Sequence, residues 1–161
     1  MAFDAFLLLD GIKGESVDAK HKGEIDVRSF SWGVSQTGTG HSGAGSGAGK
    51  ADFQDLQIVK SVDKSTPLLK LACASGKHIT KGKLTVRKAG ENPLEYLTID
   101  LENILVSSYS LSGVSGSSEI PDEQVTLNFA KMKTEYWTQT DKGAKGENAN
   151  FSWDVSANQK Y

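Results

Sequence analysis

Gly38, Gly40 and Gly43 reproduce the spacing G-x-G-x-x-G, and Gly49-Lys50 looks like the end of a phosphate-binding loop. Glycines so placed let a backbone close on a pyrophosphate while a helix N-terminus faces the anion. The stretch that holds them, TGTGHSGAGSGAGK at 37–50, lacks the rest of either site. A dinucleotide site needs a helix opening at the third glycine and an acidic residue about 20 positions on. The chain instead continues AGSGAGKADFQDLQIVK, too glycine-rich for a helix and then strand-like, and Asp63 stands at the entrance to a later helix. A phosphate loop would need glycine at 44 and a hydroxyl at 51, where the chain has Ala44 and Ala51. Without that hydroxyl the magnesium ion has no protein ligand.

Other reactive residue types are equally isolated. Cys73, the only cysteine, precedes His78 by five residues but sits late in a helix, where the dipole disfavours a thiolate. It reads as a small core residue. His21, His41 and His78 show no metal-ligand spacing and read as surface or loop residues. Asp4, Asp100 and Glu102 fall in or beside strands, as solvated or barrel-end contacts rather than an acid–base pair. Trp32, Trp137 and Trp153 lie on or directly after alternating strands in a chain of net charge −2, so packing explains them better than base stacking. The sequence thus points away from an enzyme, a cofactor, a metal centre, nucleic-acid binding and membrane insertion. A barrel carrying a small molecule would need an empty apolar interior, and the chain has enough Leu, Ile, Val and Phe to fill its own.

The elements that must position these residues are mostly strands. Seventeen glycines against three prolines, with frequent alternating runs, indicate an all-β chain. Val125, Leu127 and Phe129 alternate with polar or small residues, as do Phe151, Trp153 and Val155, and Leu84 with Val86. Leu97, Ile99 and Leu101 give way to Ile104 and Val106, and Ile25 and Val27 to Phe30, Trp32 and Val34. Such changes of phase mark a bulge or bend, and two of them predict sheets that curl. One segment has helical period: Thr66 as N-cap, Pro67 at the first helical position and Gly76 at the exit. Leu68, Leu71 and Ala72 share one of its faces, and Leu69 with Cys73 an adjacent one. At 161 residues a single domain, 1–161, is expected: a compact β-barrel of two curled antiparallel sheets, one flanking helix at about 66–76 and a long glycine-rich loop at about 37–50. The runs 112–119 and 140–148 read as connections between antiparallel strands. The start MAFDAFLLLDG is too acidic and too briefly apolar for a signal peptide or membrane span.

Several stretches together resemble the haemolysin-coregulated protein family, Hcp. They are MAFDAFLLLDGIKGES, SFSWGVSQTGT, GAGKADFQDL, VDKSTPLLKLACASGKH, KLTVRKAG, ILVSS, VTLNFAKMKTEY and FSWDV, and they span nearly the whole chain. The resemblance implies a barrel similar to phage tail-tube proteins and a homohexameric ring that stacks into the hollow inner tube of a type VI secretion system. It further implies a contractile sheath around the tube, a trimeric spike of the VgrG type at its tip, and small effector proteins in its lumen. The protein would assemble in the bacterial cytoplasm and leave for the medium or a target cell without a cleavable signal peptide. The chain stops at Tyr161 after its last strand, so no fused effector domain is expected. On this reading Thr39, Gly40, His41, Ser42 and Gly43 would contact the next ring, and Ser112, Ser115 and Ser117 would make lumen or variable-loop contacts. Strands around 24–35, 81–88 and 95–106 would supply lumen-facing or edge positions.

Overall fold

The computed structural model describes residues 2–38 and 49–161. Eleven strands and one helix follow one another as β1 Phe3–Leu9, β2 Ile25–Val27, β3 Ser29–Ser31, β4 Val34–Ser35, β5 Asp52–Phe53, β6 Leu56–Ser61, α1 Thr66–Ser75, β7 Ile79–Lys88, β8 Glu95–Ser112, β9 Asp122–Asn128, β10 Lys131–Gln139 and β11 Lys145–Asp154. All ladders are antiparallel. One layer runs β2-β1-β7-β8-β10-β11 and the other β8-β9-β6-β3, so β8 belongs to both.

The sharing rests on a bend that the sequence announces. Within β8 the buried apolar side chains are Ile99 and Leu101, then Ile104 and Val106, and Asn103 between them has φ +53°. A residue in the left-handed region turns the pleat and moves the apolar set onto the same inner face. Asparagine tolerates that conformation better than most residues. Opposite the bend, the chain passes from β9 to β10 through Phe129 and Ala130, so both strands pair with β8 along its length. The second change of phase falls between β2 and β3. Those two strands pair with β1 and β6 respectively, which brings the ends of the two layers together around the core.

That core is solid. Ile25, Leu56, Ile58, Leu84, Leu101, Ile104, Leu127 and Met132 are each at most 1% exposed. Leucine, isoleucine and methionine side chains thus occupy the space a barrel-borne ligand would need.

The helix differs in detail from its sequence pattern. Ser65, not Thr66, holds the cap position, and its side chain makes no capping bond. Asp63 instead shapes the turn that enters the helix: its carboxylate accepts from the Ser65 N–H at 2.8 Å, while its own N–H donates to the Thr66 hydroxyl at 3.1 Å. Gly76 ends the helix with φ +68°, where a Cβ would be strained. Leu69 and Ala72 are buried, but Leu68 and Leu71 are 43% and 62% exposed. A ten-residue helix laid along β8 covers a narrow stripe, so the expected wide apolar face is only half used.

Beneath the helix entrance, Lys60 of β6 and Glu123 of β9 form an ion pair inside the protein, their side chains 1% and 0% exposed. The Thr66 hydroxyl donates to the same carboxylate at 2.8 Å, and the Tyr109 hydroxyl donates to its other oxygen. Burial, and then the carboxylate that accepts this bond, push the Tyr109 phenol well above its usual range. Residues 10–24 form a strap over the outer face of β1 and β7. Gly14 lets it close, because a Cβ there would lie 2.5 Å from the Glu24 carbonyl oxygen.

Candidate assembly surfaces

The six-stranded layer has one face in the core and one outside. On the outer face, register aligns Lys81, Glu102, Lys131 and Asp154 in one row across β7, β8, β10 and β11. The next row reads Lys83, Asp100, Lys133 and Ser152, and the row beyond ends in Glu135 and Asn150. Signs alternate along each row, while each of β7, β8 and β10 repeats its own sign from the first row to the second; Lys131 lies 4.0 Å from Asp154 and Lys133 3.6 Å from Glu135. Each opposed pair contributes about 0.2–1 kcal/mol and none leaves a net field. Burial among these neighbours pushes the Asp100 carboxyl above its usual range, against the pull of Lys83 and Lys133. Asp4, Asp100 and Glu102 therefore do not form an acid–base pair: the last two lie within this lattice and Asp4 faces Arg87 at 3.5 Å.

Where the strap crosses this face, polar side chains fasten it. Arg87 binds the Asp18 carboxylate with two guanidinium nitrogens and lies 4.8 Å from the centre of the Phe6 ring. His21 stacks on Phe6, with ring centres 4.4 Å apart and planes 7° from parallel. Its Nδ1 is 2.7 Å from Glu24 and its Nε2 2.7 Å from Glu95. His21 is thus buried, contrary to the expected surface position; no local pattern could show Glu95, 74 residues away. His78 is exposed, as expected, and its Nδ1 lies 2.8 Å from Asn103 Oδ1. Cys73 is half-buried in the last turns of α1. Among the described residues no group of three His, Cys, Asp or Glu side chains could hold a metal.

The layer ends in β2 on one side and β11 on the other, and β11 is paired with β10 alone. A turn after Asp154 brings Gln159 back onto its outer side, where the two residues exchange both backbone hydrogen bonds. From Lys145 to Phe151 that edge has no partner among the described residues. Alternation makes the N–H groups of Asn148 and Asn150 point outward with that of Asp154. The β10–β11 hairpin also overhangs the core: Phe151 and Tyr136 are 39% and 46% exposed. Phe151 was expected inside with Trp153; its strand continues past the end of the opposing layer, so the alternating pattern persists with nothing to cover it.

The expected edge roles of 81–88 and 95–106 need correction. β7 lies between β1 and β8, and the first half of β8 lies between β7 and β10. Neither is an edge there; they offer a face only. Thr39, Gly40, His41, Ser42 and Gly43 lie outside the described residues. The flanks of their segment are held by β4 and β5, with Val34 opposite Phe53 and Ser35 opposite Asp52. Behind this ladder Trp32, Phe53 and Trp153 pack in a row, their ring centres 5.9 and 6.3 Å apart. Ser112, Ser115 and Ser117 are exposed in and beside the connection from β8 to β9, where Ser117 donates to the Val114 carbonyl at 2.8 Å.

This two-layer fold with one helix has known counterparts. Residues 6–136 match the family described as "Type VI secretion system effector, Hcp". The chain belongs to the Hcp family. It is 49% identical to the Hcp1 protein of Pseudomonas aeruginosa, over 98% of both chains. The crystal structure of Hcp1 from Salmonella typhimurium superposes with a TM-score of 0.84 at 39% identity, covering 100% of each chain. A solved structure described as a type six secretion system protein gives 0.93 at 30% identity, over 99% of this chain and 100% of the other. These likenesses place this Hcp chain in type VI secretion and account for the barrel, the single helix and the two layers. Hcp is a secreted component of that system, and no helix among the described residues is long and apolar enough to cross a membrane.

Proposed function

We propose that this chain is a structural subunit of the type VI inner tube, which closes into a ring through the open edge of β11. The observation that carries the reading is that edge, unpartnered from Lys145 to Phe151 among the described residues and beside the exposed rings of Phe151 and Tyr136. A long strand edge with apolar neighbours favours pairing with another chain. A head-to-tail contact uses two different patches on each copy and stops growing when the rotation closes, here at a homohexamer. Continuing the six-stranded layer from subunit to subunit would line the hole with the alternating rows of Lys81, Glu102, Lys131 and Asp154. A balanced polar wall has no apolar patch to trap a passing effector and no net field to repel one.

Stacking is a separate contact, assigned to residues 37–50 with Thr39 to Gly43 at their tip. The sheath, the trimeric spike and the small effector proteins are the partners this role implies. Nothing in it requires catalysis.

Asn150→Pro tests the edge directly. It removes an outward N–H while leaving the ladder to β10 in place, a substitution an edge strand accommodates. The variant should retain the β circular dichroism spectrum and melt cooperatively, yet run as a monomer in native mass spectrometry at micromolar concentration. Rings that persist unchanged in Asn150→Pro would show that the subunits join elsewhere.

A further inference from the structure

The exposed side of α1 and the neighbouring turn at Asp10–Ile12 enclose a groove that the ring and stacking contacts proposed above do not use. Two hollows of ≈ 330 and ≈ 520 Å³ meet at this turn. Apolar side chains line them that no element covers among the described residues: Leu8, Leu68 and Leu71 are 48%, 43% and 62% exposed. The rim is cationic, with Lys13, Lys22, Lys64 and Lys77 against a single acid, Asp10. Among the described residues none of these four lysines is in an ion pair. This contrasts with the outer face of the six-stranded layer, where lysines alternate with acids, and with a chain whose net charge is −2.

We propose that this groove is a docking site for an acidic amphipathic segment of another protein, with leucine-like side chains in the hollows and carboxylates on the lysine rim. Apolar burial would supply the affinity, and the ring of cations would select the partner and speed its approach. The chain's own glycine-rich stretch is a poor occupant, since residues 37–50 contain no acid and no large apolar side chain. A concave site of this size also suits a peptide's side chains better than a lipid surface, which takes protruding groups.

Fluorescence anisotropy on the intact protein decides the matter. The probe is a labelled peptide of about twelve residues with leucines at helical spacing and glutamates elsewhere. A second peptide has lysine in place of every glutamate. The glutamate peptide should bind at least about tenfold more tightly than its lysine counterpart, and more weakly as salt is raised. Leu71→Asp and the double variant Lys64→Glu/Lys77→Glu change exposed side chains only, and each should weaken binding about tenfold or more. In the unaltered protein the glutamate peptide should shield Lys64 and Lys77 from acetylation, a readout that does not depend on how the variants fold. Equal binding of the two peptides, undiminished binding by the variants, or lysines acetylated as fast with peptide as without would each overturn the proposal. So would binding to phosphatidylglycerol vesicles without peptide binding. If the variants disrupt ring or tube assembly while peptide binding is unchanged, the groove is a contact between copies and the proposal fails. Since Asn150→Pro leaves the groove intact, a monomer that binds the peptide separates this site from the ring contact.

Discussion

Lys60 and Glu123 carry opposite charges where water does not reach, and Lys60 also donates to the Asp63 carboxylate at 2.9 Å. Removing one partner of such a pair leaves a buried charge uncompensated, at a cost of about 3–5 kcal/mol. Lys60→Met should therefore lower thermal stability by that order, with Lys60→Met/Glu123→Leu recovering only part of it because Asp63 still loses its lysine; a single variant as stable as the wild type would show the pair to be solvated. Asp18 has a subtler role. Its hydrogen bond from Arg87 holds the carboxyl at about 2, below the ordinary 3.8. Because the folded value is the depressed one, the stabilisation is in full force above 3.8 and is lost as pH falls toward 2. Asp18→Asn should melt below the wild type at neutral pH, and the difference should shrink as the buffer is taken down through that interval. A difference that stays constant across the interval would mean that the Asp18 charge does not fasten the strap.

At the level of elements, local pattern and long-range geometry divide what the sequence makes legible. The passage from Leu97, Ile99 and Leu101 to Ile104 and Val106 is visible in the string and becomes the bend at Asn103, because a change of phase is a local event. The helix and its glycine exit are legible for the same reason. Which side of the helix is covered is not: Leu68 and Leu71 fit the apolar stripe as well as Leu69 does, and only the position of β8 decides among them. The same holds for Phe151, whose alternation is sound but whose hairpin extends beyond the opposing layer. His21 with Glu95 and Lys60 with Glu123 join residues 74 and 63 positions apart, distances at which no spacing rule operates. The charged rows need register across four strands before they can be read, and the open edge needs the strand order. The stacking arm is a prediction of this scale. Replacing residues 39–47 with a short turn across the β4–β5 ladder should leave rings intact in native mass spectra and abolish tubes in electron micrographs. Tubes that still form would remove the arm from the stacking contact. Ordering so many glycines would cost on the order of 1–2 kcal/mol per residue, so the proposed ring-to-ring contact would be weak enough to reverse.

For the whole molecule, the account joins a filled barrel to an unfilled edge. Leucine, isoleucine and methionine side chains fill the core among the described residues, and the Hcp family places the chain in type VI secretion. What remains to be satisfied is on the surface: an unpaired strand, two overhanging aromatic rings and a balanced polar face. The closed ring of identical copies proposed above would satisfy all three. Native mass spectrometry of the unaltered protein at micromolar concentration, paired with negative-stain images, tests this most directly. Six-fold annuli at six times the chain mass are the predicted result, and a strict monomer with no annular particle at any concentration would contradict it.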